Sequence, residues 1–278
     1  VSMPYQISLY EQRAPHFDPD INKIRGKIFT LDHDTNQNGV IDIEDLEWRY
    51  LEGDGDFRSD EVKKLRDEAD VIVTNPPFSM FREFLDWIVS ADKQFIIIGN
   101  VNALTYKEVF PLIKNNKIWL GESIHSGDRE FQVPKEYPLK AAGFRIDENG
   151  NHYIRVKGVR WFTNLDHGRR HQPLQLMTMA DNIKYSKHKE IRNVGYEKYD
   201  NYNAIEIPYT DAIPCDYDDY MGVPITFLDK YNPEQFELLG IMNTGEENVG
   251  IRHPNTPHGR PVVNGVEKYL RIIIKRKI

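Results

Sequence analysis

Asn75, Pro76, Pro77 and Phe78 form the segment of this chain with the clearest capacity for chemistry. Two consecutive prolines fix the backbone angle φ, remove two amide donors and hold the preceding residue extended. The segment therefore presents carbonyl oxygens and one Asn side chain from a rigid loop, next to an aromatic ring. Such a loop can accept hydrogen bonds from an amino group while the ring covers the flat group that carries it.

The flanking residues predict where this loop lies. Residues 69–74 form the run Ala-Asp-Val-Ile-Val-Thr, which is typical of a buried parallel strand. Apolar residues at helical spacing follow and predict an amphipathic helix. Its apolar face would consist of Phe81, Phe84, Leu85 and Ile88. The loop would then lie at the carboxyl edge of a sheet, where ligands bind in open α/β proteins.

A second segment, Gly53-Asp54-Gly55-Asp56-Phe57, precedes this loop, where the preceding strand of the same sheet is expected to end. A carboxylate can accept from the amino group of a purine, and an aromatic ring can cover the purine face. The glycines let the backbone approach a ligand closely. The segment is therefore a candidate adenosine site.

With these residues the chain resembles S-adenosylmethionine-dependent DNA adenine-N6 methyltransferases of the EcoRI modification-enzyme type. The resemblance begins near Leu51 and continues almost to the end of the chain. The matching segments are 53–59, 75–81, 97–100, 105–108, 161–167, 223–226 and 228–233.

The resemblance implies a fold and a first set of site residues. The fold would be α/β, with a Rossmann-like methyltransferase sheet and an irregular, strand- and loop-rich C-terminal target-recognition region. The Asn75 side chain and the Pro76 carbonyl would hold the amino group of the target adenine, in a loop kept rigid by Pro77. Phe78 would stack on this base after it has left the duplex.

The resemblance also implies a cofactor site and a second aromatic at the target base. Asp54, Asp56 and Phe57 would hold the adenine of S-adenosylmethionine. Trp161 or Phe162 would supply a second stacking face for the flipped base. Because the methyl group of the cofactor is already activated, positioning supplies most of the rate.

The domain prediction places a methyltransferase catalytic region at residues 1–136. Residues 137–278 would complete the catalytic sheet and form the DNA target-recognition region. Relatives of this kind carry an earlier strand and loop for the methionine end of the cofactor, but the first 52 residues contain only Gly26 and Gly39, and the chain starts at Val1. We therefore expect the first cofactor-binding segment to be missing. Either the sequence begins partway into a longer protein, which we favour, or this version lacks half of its cofactor site.

Charge is distributed unevenly along the chain, whose net charge is −7. Residues 1–80 contain 9 basic and 17 acidic residues, whereas residues 155–195 contain 9 basic and 3 acidic ones. The basic stretch includes Arg169 and Arg170, flanked by His167 and His171, and favours contact with DNA phosphates over a structural metal site. Solvated surface charge is the alternative explanation. Double-stranded DNA is the predicted partner, and the oligomeric state is left open.

The composition of the chain indicates in which cellular compartment the protein works. No apolar run approaches the ~18 residues that a membrane span needs, and no signal-peptide pattern opens the chain. The single cysteine, Cys215, excludes an internal disulfide and suits a reducing cytoplasm. The sequence therefore predicts a cytoplasmic protein without a membrane partner.

Residues 34–45 offer an alternative chemistry, because they are close to a calcium-binding loop. The oxygen-bearing side chains at ligand positions are Asp34, Asn36, Asn38, Asp42 and Asp45. The last position is Asp where an EF-hand has Glu, so the preferred interpretation is a turn that caps a helix near Ile43, with no bound metal. The rival functions are thus a calcium-dependent binding module and a catalytically inactive, methyltransferase-like DNA-binding protein.

The remaining pattern is one of alternating strands and helices, followed by short segments. Strands are predicted at 27–31, 95–98 and 118–120, and helices at 59–68, 107–114 and 233–239.

Overall fold

The computed structural model describes residues 9–124, 129–135, 143–242 and 259–277. Within these residues the protein is mixed α/β, with several small sheets and short helices. The helices are α1 (Leu9–Arg13), α2 (Asp60–Glu68), α3 (Phe81–Val89), α4 (Phe110–Lys114), α5 (Met179–Tyr185) and α6 (Lys189–Val194). The strands of the first half are β1 (Lys27–Thr30), β2 (Glu47–Tyr50), β3 (Val71–Thr74), β4 (Gln94–Asn100), β5 (Trp119–Leu120) and β6 (Arg129–Val133). Those of the second half are β7 (Phe144–Ile146), β8 (His152–Val156), β9 (Val159–Thr163), β10 (Ile205–Glu206), β11 (Met221–Pro224), β12 (Phe236–Ile241), β13 (Val262–Val263), β14 (Val266–Glu267) and β15 (Arg271–Arg276).

The chain divides into two compact units. The first comprises Val1–Asp70 and Phe84–Lys93, and the second comprises Val71–Glu83 and Gln94–Ile278. The domain boundary predicted between residues 136 and 137 falls outside the described residues. None of the described helices has the length and the apolar composition needed to cross a membrane.

The first unit contains a two-stranded antiparallel sheet and the helix α2. β1 pairs with β2, and Phe29 lies opposite Trp48 in their register. The Ser59 side chain caps α2 by accepting from the Val62 N–H at 3.3 Å, so the predicted helix at 59–68 is confirmed. The strand that precedes Gly53 is therefore β2, which pairs with β1 and not with β3. The expectation that residues 53–57 follow a strand of the same sheet as β3 is wrong.

The second unit is built around a mixed four-stranded sheet with the order β3-β4-β9-β5. β3 runs parallel to β4, with Thr74 opposite Ile97. β9 comes from the C-terminal half of the chain and is antiparallel to both β4 and β5. β3 is the edge strand, and Val73 is 65% exposed. The predicted strand and its parallel pairing are confirmed, but the expectation that it is buried is wrong, because among the strands that the structure describes it pairs with β4 alone.

Helix α3 follows the loop, as the apolar spacing predicts. All four residues of the predicted face, Phe81, Phe84, Leu85 and Ile88, are buried. Phe81 packs in the second unit against the Phe162 ring, with the ring centroids 5.1 Å apart. Gly99 makes this packing possible, because a Cβ atom there would come within 2.5 Å of the Phe81 ring. The start of α3 is thereby fixed to β4 and β9.

The C-terminal residues form short strands, as the sequence predicts, and also two short helices, α5 and α6, which it does not predict. A second four-stranded sheet has the order β10-β11-β15-β12, and its core includes Val223, Phe236 and Ile272–Ile274. Two predicted helices differ from the structure. Residues 233–239 enter strand β12, because Phe236 and Leu238 are buried with Glu237 exposed between them, which is a period of two. The helix predicted at 107–114 is confined to α4, where Pro111 occupies the first turn.

Candidate active site

The loop after β3 passes from an extended segment into a single tight turn. Pro77 is extended, with φ −56° and ψ 126°, and is followed by a single 3₁₀ turn over Phe78–Met80. This turn is closed by the Met80 N–H, which donates to the Pro77 carbonyl at 2.9 Å. Pro76 is buried, whereas Asn75 and Pro77 are exposed.

The polar atoms of this loop differ in whether they have partners. The Pro77 carbonyl is occupied by Met80. The Asn75 side chain and the Pro76 carbonyl have no hydrogen-bond partner among the described residues. Phe78 is 42% exposed although it is a large aromatic. The loop therefore has two acceptors without a partner among the described residues, one on the exposed Asn75 and one on the buried Pro76, beside an accessible ring.

The two aromatics of β9 that the resemblance implies have different environments. Phe162 is 0% exposed and packs against Phe81, because β9 lies between β4 and β5 in the sheet. It therefore has no free face, and its assignment to the flipped base is corrected. Trp161 points to the other side of the strand and is half-buried. Of the pair, Trp161 is the one that remains a candidate for stacking.

Asp54 is exposed and Asp56 is half-buried, and both belong to the first unit. Asp54 accepts from the Asp56 N–H at 3.0 Å. The Asp56 carboxylate accepts from Nε of Arg58 at 2.9 Å and from its Nη2 at 2.5 Å. This guanidinium lowers the pKa of Asp56 to about 2, so the carboxylate is charged at neutral pH.

Phe57 is held from the side by two rings of its own unit. The Phe84 and Trp87 ring centroids lie 5.2 and 5.5 Å from that of Phe57, both near edge-to-face. The Arg58 guanidinium lies 5.6 Å from the centroid of the Phe57 ring. Arg58 thus contacts both the carboxylate and the ring that the sequence assigns to an adenine.

The basic segment 169–171 is mostly engaged in internal contacts. Arg170 is buried, with its guanidinium 3.5 Å from the Trp119 ring centroid and a hydrogen bond to Asn116. Its prediction as a phosphate contact is therefore corrected. His171 contacts both Asp166 and Glu234, and these carboxylates raise the pKa of the imidazole. Arg169 is half-buried and remains the candidate from the predicted pair.

The calcium-like loop uses its oxygens on its own backbone. Asp34 accepts from the Gly39 N–H at 2.7 Å, and Asn38 accepts from the Val40 N–H at 2.8 Å. Asp42 and Asp45 form a capping box at a 3₁₀ turn that starts at Ile43, which confirms the predicted cap. Among the described residues, no group of three or more His, Cys, Asp or Glu side chains is arranged to hold a metal ion.

Arg82 and Tyr106 are two further candidates outside the predicted site residues. Arg82 lies in the first turn of α3, and its guanidinium lies 5.5 Å from the Tyr106 ring centroid. Both residues belong to the second unit, as does the loop at 75–78. The available signal was an arginine within one turn of Phe78.

Comparison with known proteins gives a consistent family. A model of the family described as "Adenine-specific methyltransferase EcoRI" matches residues 8–277. Type II methyltransferase M.EcoRI of Escherichia coli is 48% identical over 246 residues, which are 88% of this chain and 69% of that protein. Type II methyltransferase M.MgeORF184P of Mycoplasma genitalium is 37% identical over 82% of this chain and 71% of its own length. Type II methyltransferase M.MpnI of Mycoplasma pneumoniae is 35% identical over 82% of this chain and 70% of its own length. No solved structure matches the chain significantly.

Proposed function

The chain belongs to the EcoRI family of adenine-specific methyltransferases, and from this premise we propose how its own residues perform the reaction. The reaction is transfer of a methyl group from S-adenosylmethionine to N6 of adenine in double-stranded DNA, at a specific sequence. The names of the relatives, all Type II methyltransferases, support a role in restriction–modification. A cytoplasmic site of action suits the single cysteine.

The observation that carries the proposal is the pair of unpaired acceptors beside an accessible ring. The Asn75 oxygen and the Pro76 carbonyl accept from the two hydrogens of N6, while Phe78 stacks on the base. A base inside the duplex stack cannot reach such a loop, so the adenine must first be extruded. Trp161 offers a second surface for the extruded base.

Two acceptors on N6 also explain how the amine becomes a nucleophile. Its lone pair is delocalised into the purine ring, and hydrogen bonds from both N6 hydrogens turn it out of this conjugation. S-adenosylmethionine supplies a methyl group on a positively charged sulfur. The carbon–sulfur bond would break as the nitrogen–carbon bond forms, the neutral thioether S-adenosylhomocysteine would leave, and N6 would then release one proton to solvent. Orientation of the amine is the contribution of Asn75 and Pro76.

The segment Asp54–Phe57 fits the adenine of the cofactor by the chemistry of its donors and acceptors. The Asp56 carboxylate is charged at neutral pH and can accept from an exocyclic amino group. Phe57 is fixed by Phe84 and Trp87 and can cover a purine face. Arg58 contacts the Phe57 ring and Asp56, so adenine binding requires Arg58 to move aside.

We also propose a finer fold assignment, which membership of the family supports. We assign β3, β4 and β5, which run in the same direction, to a Rossmann-like methyltransferase sheet. β9 completes this sheet from the C-terminal half, and the short strands and helices beyond it belong to the target-recognition region.

The test is methyl transfer from labelled S-adenosylmethionine to duplex DNA, followed by digestion and identification of the labelled nucleoside. We expect N6-methyladenine at one recurrent sequence. Label in cytosine, or label spread over adenines of unrelated sequence, would contradict the proposal.

A further inference from the structure

Arg82 is a cation four residues beyond Phe78, at the second position of α3. Its side chain is 60% exposed, and its Nη1 atom lies 3.7 Å from the nearest oxygen of Glu108. The Tyr106 ring beneath it is 36% exposed. The arginine is therefore oriented by a ring and a carboxylate, and most of its surface faces solvent.

The groups that orient Arg82 are themselves fixed. The Tyr106 N–H donates to the Ala103 carbonyl at 3.0 Å, and the Tyr106 carbonyl accepts from the Phe110 N–H at 2.9 Å. On the other side, the residue before Arg82 is Phe81, which is buried under Gly99. The backbone at Phe81, which carries the neighbouring Arg82, and the backbone at Tyr106 are thus both held by contacts that do not involve the guanidinium.

The present contacts of Arg82 are weak ones. An exposed ion pair at 3.7 Å contributes about 0–1 kcal/mol, and a cation–π contact at an exposed site contributes about 0.5–1 kcal/mol. A guanidinium has five donors in a planar fork that matches the oxygens of a phosphate. A nucleotide carries its phosphates one sugar away from its base, and Arg82 follows Phe78 by four residues on the same 3₁₀ turn and helix.

Resting on the proposed function, we propose that Arg82, supported by the Tyr106 ring, binds a phosphate that flanks the extruded adenine. The phosphate replaces Glu108 as the partner of the guanidinium. Arg82 is then a positioning residue: it holds the nucleotide out of the stack while Asn75, Pro76 and Phe78 hold its base. Tyr106 keeps the guanidinium over the mouth of this site.

The decisive experiment pairs Arg82→Gln with DNA in which one flanking phosphate is a neutral methylphosphonate. Single-turnover methylation is measured for both proteins on the unmodified duplex and on duplexes modified 5′ or 3′ of the target adenine. On unmodified DNA the variant should lose roughly ten- to a hundredfold, the range of a charge-assisted hydrogen bond. When one particular flanking phosphate is replaced by methylphosphonate, the wild-type methylation rate should fall to the rate of Arg82→Gln. The rate of Arg82→Gln itself should fall little further on that duplex.

Lys107→Gln is the matched control, because Lys107 is a neighbouring, largely exposed cation without the planar fork. It should keep the wild-type sensitivity to methylphosphonate. Tyr106→Phe retains the ring and should keep most of the activity, whereas Tyr106→Ala should lose part of the sensitivity. The substituted side chains are exposed, so the unfolding temperature of Arg82→Gln should match the wild type.

Two results would separate the proposals. In the first result, the wild type methylates adenine, but Arg82→Gln and methylphosphonate each lower the rate independently, whether the modified phosphate is 5′ or 3′ of the adenine. The phosphate contact is then wrong and the proposed function stands. If the wild type methylates no adenine, the proposed function is wrong and the phosphate contact falls with it.

Discussion

The loops at 75–78 and 34–45 both present Asn or Asp side chains from turns. The side-chain oxygens of the loop at 34–45 accept hydrogen bonds from its own backbone, whereas the Asn75 oxygen has no partner among the described residues. In the second loop, Asn36 accepts from the Asn38 N–H at 2.9 Å, and Asn38 accepts from the Val40 N–H at 2.8 Å. Each bond joins a side chain to the amide two residues further on, which is the usual Asx turn. At Asn75 the residue two positions further on is Pro77, which has no N–H.

This difference teaches how a rigid loop can keep an acceptor for a ligand. An Asn at a turn normally satisfies its oxygen locally, and Asn100 does so with the Asn102 N–H at 2.9 Å. The Pro-Pro pair removes the local donors and fixes the backbone at the same time. The Asn75 oxygen is thus ready for an external donor without a cost of breaking an internal bond. Asp56 is an intermediate case, since it accepts from the Arg58 N–H at 2.9 Å and also from the Arg58 side chain.

The largest expected effect is at Asn75. Asn75→Ala removes one of the two acceptors of N6 and should lower the rate of methyl transfer by about 10²–10³, as the loss of one preorganised transition-state contact does. Phe78→Ala should have a comparable effect by removing the stacking face. Labelled methyl transfer to duplex DNA measures both.

Asn75→Asp is the control for this prediction, because a carboxylate keeps the acceptor oxygen; it should retain more activity than the alanine variant. Asn75 and Phe78 are both exposed, so each alanine substitution should change the free energy of unfolding by only about 0.5 kcal/mol. Activity of Asn75→Ala equal to the wild type would remove the loop from the active site.

The next effect concerns Asp56. Asp56→Ala should weaken S-adenosylmethionine binding roughly tenfold, since the adenine amino group loses its partner. The pKa of about 2 lies below its ordinary value of 3.8, so Asp56 remains charged above pH 4 and should add no titration step to cofactor binding between pH 4 and 8. Its ion pair with Arg58 stabilises the fold above pH 3.8, and this contribution is lost as the pH falls towards 2. Calorimetric titration with S-adenosylmethionine between pH 4 and 8 tests the first statement, and denaturation of wild type and Asp56→Ala between pH 2 and 4 tests the second. Equal affinity of the variant would exclude Asp56 from the site.

Local patterns carried most of what the sequence could predict. The helix cap at Ser59, the apolar face of α3 and the strand β4 depend on neighbouring residues, and all three are confirmed. The position of β9 between β4 and β5 depends on a partner more than 60 residues away. This long-range pairing buries Phe162, which no local spacing indicates.

The same limit applies to the candidate site. The acceptor loop could be found because its two prolines act locally. Arg170 was misassigned because Trp119, which it stacks on, is distant in sequence. Charge composition alone does not distinguish a buried, stacked arginine from one that faces DNA.

A substitution in the loop at 34–45 should have the opposite effect to Asn75→Ala: it should lower stability and leave activity unchanged. Asn38→Ala removes the acceptor for the Val40 N–H and should lower the free energy of unfolding by about 0.5–1.5 kcal/mol. Methyl transfer per folded molecule should be unchanged. Chemical denaturation and an activity assay on the same preparation measure the two quantities. A loss of activity without a loss of stability would show that this loop, too, has a binding role.

The smallest effect is also the most direct test of the comparison. Pro77→Ala restores an N–H two residues after Asn75 while leaving every proposed contact with the adenine in place. The φ angle of −56° suits alanine, so the loop can keep its conformation. The new amide should then form an Asx turn with the Asn75 oxygen, and the adenine amino group must compete with it.

Competition with one neutral hydrogen bond, worth about 0.5–1.5 kcal/mol, corresponds to a loss of about two- to twelvefold in methyl transfer. Pro77→Gly is a poor comparison because it also loosens the backbone, so the matched control is Pro77→Ala combined with Asn75→Ala. In the Asn75→Ala protein, the amide restored at position 77 has no side-chain oxygen to bond. Adding Pro77→Ala should therefore lower the rate of methyl transfer little further. If Pro77→Ala lowers activity equally with and without Asn75, the proline acts through rigidity alone, and the missing donor does not explain why this oxygen is free.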